Sequence, residues 1–293
     1  MTRWMEEIDA TCGGAWRVQL RMDRILFEGQ SAFQSIKVFE NPVFGRVLAL
    51  DGIVQTTEKD EFFYHEMAVH VPVLAHGKVK KILIIGGGDG GALEETLKHT
   101  TVEAVTMVEI DQQVIEASKA HLQVICGEAF ADPRLDLVVA DGVDCLAKSP
   151  GGYDLILVDS TDPIGLDSDQ PVGPGAVLFS EDFYRTCRAR LAEGGVLVSQ
   201  NAIPFFEQAG LSIPMRNLRA VFADVACYRV AVPSFYGGEM AFAWASDNPT
   251  LRQVSLDALD ARFQRLGIET RYYTPGIHIG AFALPGYLAE LVG

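Results

Sequence analysis

Two carboxylates close together at the end of an apolar run invite chemistry on a cation. The segment Asp159-Ser160-Thr161-Asp162-Pro163, which follows Tyr153-Asp154-Leu155-Ile156-Leu157-Val158, has that form. One carboxylate can hold an ammonium while the other accepts a proton. A plain turn with an Asx bond before proline accounts for one of the two aspartates more readily than for both. A second chemical segment is Gly86-Gly87-Gly88-Asp89-Gly90-Gly91, directly after the apolar run Lys81–Ile85. Glycines there let a backbone approach a ligand at a helix start. Glu109 falls about 20 residues further on, where an acid can accept from ribose hydroxyls. Asp89 sits among the glycines, which opposes a dinucleotide pyrophosphate and favours a cation, although an N-cap role explains it equally well. Asp141-Gly142 closes a third apolar run, so Asp141 can accept from an adenine amino group or cap a helix. Other signals fail. His65-Glu66 is followed by His70, one residue too far for the zinc-protease spacing, and no G-x-S-x-G occurs. The remaining histidines are dispersed, and no metal site is assigned.

The elements that must carry these residues follow from the periodicity. Up to about residue 55 the pattern alternates, predicting short antiparallel strands over Trp16–Met22, Arg24–Glu28, Gln34–Glu40 and Arg46–Leu50. A helix is expected over Glu61–Leu74, with Phe62, Met67, Ala68, Val71 and Leu74 on one face. From Lys81 onward, apolar runs alternate with amphipathic stretches, as in a parallel sheet buried on both faces. The segments ending at Pro233 and beginning at Glu239 flank a short turn and predict an antiparallel hairpin. The expected fold is α/β: a Rossmann-like transferase sheet ending in that hairpin, preceded by a small β domain over residues 1–57, with residues 58–293 catalytic. A long loop is expected at Leu166–Gly175.

Composition narrows the function classes. The chain has 293 residues and a formal charge of −15, which disfavours nucleic acid and anionic lipid as partners. Five scattered cysteines, none in C-x-x-C, predict neither a disulfide framework nor a zinc site, and point to a reducing cytoplasm. The opening MTRWMEEIDA lacks the apolar run of a secretory signal, and no stretch has the length of a membrane helix.

Taken together, GGGDGG, Val108-Glu109-Ile110-Asp111, Asp141-Gly142, Asp159-Ser160-Thr161-Asp162-Pro163 and the two segments Leu50–Glu58 and Asp60–Glu66 resemble the spermidine synthases, most closely the bacterial branch. The likeness runs from about Phe39 to Asn248. It implies that Asp159 is the proton acceptor, with Tyr64 beside it. It implies that Asp162 holds the diamine, with His65, Asp89, Gln200, Phe235 and Tyr236 along the amine path. Gln34, Gly86, Gly88, Glu109, Asp141, Gly142 and Pro174 correspond to positions around the thioadenosine. The implied reaction moves an aminopropyl group from decarboxylated S-adenosylmethionine to a diamine such as putrescine. The resemblance further implies that the donor is a co-substrate, that no metal or other cofactor takes part, and that the enzyme is a homodimer or homotetramer. Three departures lie near the amine: an insertion at Leu166–Val172, Pro233-Ser234-Phe235 where the family has Pro-Thr-Tyr, and Ala176 where an acid is common. Cadaverine, agmatine or a longer amine therefore stay open as acceptors. A methyltransferase on the same fold and a catalytically silent nucleoside- or polyamine-binding protein are the competing readings. Asp89 and the pair Asp159/Asp162 argue against the first, and the retention of Asp159 and Tyr64 against the second.

Overall fold

The computed structural model describes residues 3–8, 15–162, 175–236 and 238–293. Of the loop expected at 166–175, all but Gly175 lies outside the described residues, including the insertion at 166–172 and Pro174.

The N-terminal part is antiparallel. A hairpin of β1 (Arg3–Ile8) and β2 (Arg17–Met22) is followed by β3 (Arg24–Gln30), β4 (Ser35–Asn41), β5 (Gly45–Leu50) and β6 (Ile53–Thr57), which form a meander in that order. Leu50 pairs with Ile53, leaving the two-residue loop Asp51-Gly52. Both residues have positive φ, 49° and 81°. That is the backbone of a type I′ turn, which Asp-Gly favours because Gly has no Cβ penalty and Asp tolerates the left-handed region. The strand β1 was not separately legible. Its inward positions are Met5 and Glu7, and a buried glutamate breaks the apolar alternation. Glu7 is accommodated because its Oε2 accepts the backbone N–H of Val54 at 3.1 Å.

The remainder is a seven-stranded sheet built from β7 (Lys81–Gly86), β8 (Ala104–Glu109), β9 (Leu135–Val139), β10 (Tyr153–Asp159), β11 (Leu191–Gln200), β12 (Asp224–Val230) and β13 (Met240–Ser246). Their order is β12-β13-β11-β10-β7-β8-β9. Five strands run parallel, and β13 pairs antiparallel with both β11 and β12, so the expected hairpin closes one edge. Alternate side chains feed opposite cores, Ile82 and Ile84 on one face and Leu83 and Ile85 on the other. The helices are α1 (Glu61–His76), α2 (Gly91–Leu97), α3 (Gln112–His121), α4 (Gln123–Cys126), α5 (Gly142–Lys148), α6 (Glu181–Arg190), α7 (Ala209–Arg219), α8 (Leu256–Leu266), α9 (Pro275–Ala281) and α10 (Gly286–Val292). Ile36, Val38, Leu48 and Leu50 of the meander pack on Val114 and Ala117 of α3, which joins the antiparallel sheet to the larger one.

The first helix differs from its expected amphipathic form. It is buried on nearly every side, including Tyr64, His65, Glu66 and His70, and it continues through Pro72 to His76. It packs against β10, β11, α2 and α8 together, so no face is left for water. Its polar residues are therefore held by specific partners: Glu66 accepts the backbone N–H groups of Arg271, Tyr272 and Tyr273 at 2.6–2.8 Å. The histidines are also less dispersed in space than in sequence. His70 Nδ1 lies 2.9 Å from His99 Nε2, and burial pushes His70 down to about 3, leaving it neutral. Among the described residues no group of His, Cys, Asp and Glu could hold a metal ion, and no helix is long and apolar enough to cross a membrane.

Candidate active site

The strand ends of β7, β8, β9 and β10 open onto one cavity of about 380 Å³. Every site residue expected from the sequence that the structure describes lines it: Gln34, Tyr64, His65, Gly86, Gly88, Asp89, Glu109, Asp141, Gly142, Asp159, Asp162, Gln200, Phe235 and Tyr236. The position of Asp159 depends on glycine. Gly86 has φ +87°, and a Cβ there would lie 2.1 Å from the carbonyl oxygen of Asp159. With no side chain, the loop closes on β10, and Gly87 N–H donates to that same carbonyl at 2.8 Å.

At one end of the cavity the polar groups suit a nucleoside. Glu109 ends β8 and its Oε1 accepts the N–H of Asp111 at 2.9 Å. Burial, helped by the charge of Asp111, pushes Glu109 up to about 7 against the pull of backbone N–H groups. Asp141 does cap α5, accepting from Val143 and Asp144, but both bonds use Oδ1, and the residue lines the cavity as well. Capping and ligand binding are thus compatible. Gln34 reaches this end from the meander. Its Nε2 donates to Asp111 Oδ2 at 3.1 Å, and Ser31 Oγ donates to the same oxygen at 2.6 Å. Asp111 was not singled out as a site residue in the sequence. Its place two residues after Glu109 was the available signal.

The other end is acidic. Tyr64 donates its hydroxyl to Asp159 Oδ1 in a short hydrogen bond. Burial, with the charge of Asp89, raises Asp159 to about 6, while His65 and the Tyr64 hydroxyl pull the other way. His65 lies between Glu61 Oε2, 2.8 Å from Nδ1, and Asp89 Oδ2, 3.4 Å from Nε2. Carboxylates only accept, so both ring nitrogens must carry protons and the ring is a cation. Burial opposes that charge, but Asp89 and Glu61 outweigh it and hold His65 well above its usual range. Asp89 is likewise lowered: burial alone would raise it, and the His65 cation and the Gly91 N–H prevail. The helix-start role of Asp89 is real too, since its Oδ1 accepts Gly91 N–H at 2.9 Å. Gly91 is needed for a further reason, because a Cβ there would lie 2.2 Å from the His65 ring. Phe235 stands edge-on to Tyr64 at 6.4 Å, and Tyr236 packs with Trp16 and Phe206. Gln200 lines the cavity but spends both ends on backbone, donating to Ser160 O at 2.6 Å and accepting from Ala202 N at 3.2 Å. It braces the end of β10. The partner Glu61, four residues before His65 on α1, was not picked out from the sequence.

A parallel sheet with a glycine loop at its strand ends and an acidic, aromatic chamber beside it suits a group transferase acting on a cationic substrate. Residues 61–255 match the spermine/spermidine synthase domain, and residues 3–58 match the spermidine synthase tetramerisation domain. The chain belongs to the spermine/spermidine synthase family of aminopropyl-transferring enzymes. It is 47% identical over 288 residues to a polyamine aminopropyltransferase of Pseudomonas syringae pv. tomato, covering 98% of each chain. It is 47% identical over 289 residues to polyamine aminopropyltransferase 1 of Pseudomonas aeruginosa, covering 99% of this chain and 98% of the relative. Among solved structures, it resembles a spermidine synthase in complex with the transition-state analogue AdoDATO, with a TM-score of 0.92 and 36% identity over 100% of this chain and 97% of the other. It also resembles the spermidine synthase of Thermotoga maritima, with a TM-score of 0.88 and 34% identity over 100% and 96% of the two chains.

Proposed function

We propose that the protein transfers the aminopropyl group of decarboxylated S-adenosylmethionine to putrescine, giving spermidine and methylthioadenosine. The observation that carries this reading is the short Tyr64–Asp159 hydrogen bond beside the His65–Asp89 pair, at the edge of the glycine loop. The amine nitrogen attacks the aminopropyl carbon bonded to the sulfonium, the C–S bond breaks, and its electron pair neutralises the sulfur. The proton shed by the nitrogen passes to Asp159, which is ionised near neutral pH and close enough to its shifted pKa to accept it. Asp162 and Asp89 hold the ammonium ends, and alignment of nitrogen and carbon supplies much of the acceleration. Glu109 takes the ribose hydroxyls, Asp141 the adenine amino group, and Gln34, Gly86, Gly88 and Gly142 shape the remaining donor surface. The donor is consumed as a co-substrate.

The enzyme works in the cytoplasm, a placement supported by the free thiols of Cys126, Cys145, Cys187 and Cys227. It divides near residue 57, between the end of β6 and the start of α1, and the N-terminal strands supply homo-oligomer contacts, as the description of their matching family domain supports. The test is an assay of purified protein with decarboxylated S-adenosylmethionine and putrescine, cadaverine or agmatine, scored for methylthioadenosine and the polyamine formed. Putrescine should give the highest kcat/KM. Preference for another amine would move the acceptor assignment, and no methylthioadenosine with any of them would reject aminopropyl transfer.

A further inference from the structure

Asp60 holds the N-cap position of α1, yet its side chain caps nothing in that helix. An aspartate there ordinarily accepts from the first-turn N–H groups. Here the carboxylate, 2% exposed, points away from the helix and gathers three other donors. Oδ1 accepts from Thr57 Oγ1 at 2.5 Å and from Ser234 Oγ at 3.2 Å, and Oδ2 accepts from Ser234 N–H at 2.6 Å. A buried carboxylate persists only with such partners, so the helix start forgoes its cap for a link to a segment 174 residues away.

That segment is the tight turn Val232–Tyr236, closed by Phe235 N–H on Val232 O at 3.0 Å. It presents Phe235 edge-on to Tyr64, and Tyr64 holds Asp159. Asp60, Ser234, Phe235 and Tyr64 all line the cavity. One carboxylate therefore fixes both sides of the passage to Asp159: the beginning of α1, four residues before Tyr64, and the turn carrying Phe235.

We infer that Asp60 is a positioning residue for the acceptor, setting the gap between the Phe235 ring and the Tyr64–Asp159 pair and thereby the carbon-chain length that the enzyme prefers. The inference rests on the aminopropyl-transfer reading above. Loss of the clamp leaves the glycine loop and Glu109 in place, so it acts on the acceptor and not on the donor.

The experiment compares Asp60→Ala, Asp60→Asn and Ser234→Ala with the unaltered protein. Diamines of three, four and five carbons serve as acceptors, and melting temperature is recorded alongside. Asparagine can turn its oxygen to Ser234 N–H and its amide nitrogen to the two hydroxyls, which then accept, so it keeps the clamp without the charge. Asp60→Ala should raise acceptor KM about tenfold and flatten the preference among chain lengths, with donor KM within about twofold. Asp60→Asn should retain the preference, and Ser234→Ala, which keeps the backbone bond, should lose only part of it. An unaltered chain-length preference in Asp60→Ala, or equal rises in donor and acceptor KM, would overturn the inference. So would Asp60→Asn behaving like Asp60→Ala, which would make the charge itself the amine contact. If Asp60→Ala does not fold, the Ser234→Ala and Asp60→Asn results decide the matter by the same criteria. The unaltered protein separates the two readings. If it forms no methylthioadenosine with any diamine, aminopropyl transfer fails, while calorimetric binding of the three diamines in the presence of methylthioadenosine still reports on the clamp.

Discussion

At the proposed donor end of the cavity, Gly86 ends β7 and Gly88 follows it, Glu109 ends β8 and Asp141 follows β9, so each of these residues sits where its own strand delivers it. At the acceptor end, a helix, a loop, a strand end and a distant turn meet. Tyr64 and Asp159 are 95 residues apart, and Asp60 and Ser234 are 174 apart. Apart from Gln34, which comes from the meander, the proposed donor end is thus a property of local strand-to-helix connections, which many α/β proteins share. The proposed acceptor end exists only once the tertiary structure is complete, and it holds the buried His65 between Glu61 and Asp89. Changes at the acceptor end should therefore act on turnover and amine choice, and changes at the donor end on donor affinity.

The largest effect tests that division directly. Asp159→Asn keeps the shape of the site and removes the proposed proton acceptor, so kcat should fall by roughly 10²–10⁴ while calorimetric donor binding survives. Turnover like that of the unaltered protein at neutral pH would remove Asp159 from the role of base.

Tyr64→Phe should come next, lowering kcat by about 10–100-fold, the worth of a hydrogen bond to a buried charge. It also carries a signed pH prediction. A carboxylate base works only when deprotonated, and burial and Asp89 raise Asp159, the proposed base, to about 6. Activity should therefore be lost as pH falls through about 6. The Tyr64 hydroxyl favours the carboxylate, so removing it must move that limb to higher pH. A pH profile of kcat/KM for the amine on both proteins checks this, and an unmoved or acid-shifted limb would show that the hydrogen bond does not tune the base.

How far the two ends could be read in advance follows from the same contrast. The glycine loop, Glu109 and Asp141 were recognisable from a strand, a turn and a spacing, and both Asp89 and Asp141 line the cavity while also accepting from the first backbone N–H groups of the helix that follows. The parallel strands and the terminal hairpin were legible because both-face burial leaves continuous apolar runs. At the acceptor end, the resemblance to a family supplied Tyr64 and His65. Periodicity could not, because α1 is buried all round and its polar residues look misplaced until Glu61, Asp89 and Asp159 are brought beside them. Asp60 and Asp111 stood within the quoted motifs but were given no role for the same reason: each resembles an ordinary cap or turn residue until its distant partner is known.

Asp89 lies on the boundary between the two ends and sharpens it. Ordinary S-adenosylmethionine carries one carboxylate more than the decarboxylated donor, and if Asp89 contacts the amine of the donor's aminopropyl group, as the resemblance implies, that carboxylate must sit close to Asp89. Like charges at ~4 Å and an effective dielectric of ~20 repel by about 4 kcal/mol. The His65 cation beside Asp89 offsets part of this. Asp89→Asn should then narrow the affinity advantage of the decarboxylated donor by about tenfold, as read by calorimetry at low and moderate salt. An unchanged ratio would mean that cavity shape rejects the carboxylate.

The smallest effect concerns Gln34, which reaches the donor end from a different sheet. Its side chain is neutral, and its Nε2 is held by Asp111, which also receives Ser31 Oγ. That leaves the amide oxygen of Gln34 to meet a donor hydroxyl or amino group. One neutral hydrogen bond in partly exposed surroundings is worth about 0.5–1.5 kcal/mol. Gln34→Ala should accordingly raise donor KM a few-fold and leave acceptor KM and kcat alone. Ser31→Ala frees Asp111 Oδ2 from one of its two donors and should loosen Gln34 without removing it, so its effect on donor KM should be smaller still. If either substitution changed amine preference instead, the meander would be shaping the acceptor end as well, and the division of the cavity into a local donor half and an assembled acceptor half would not hold.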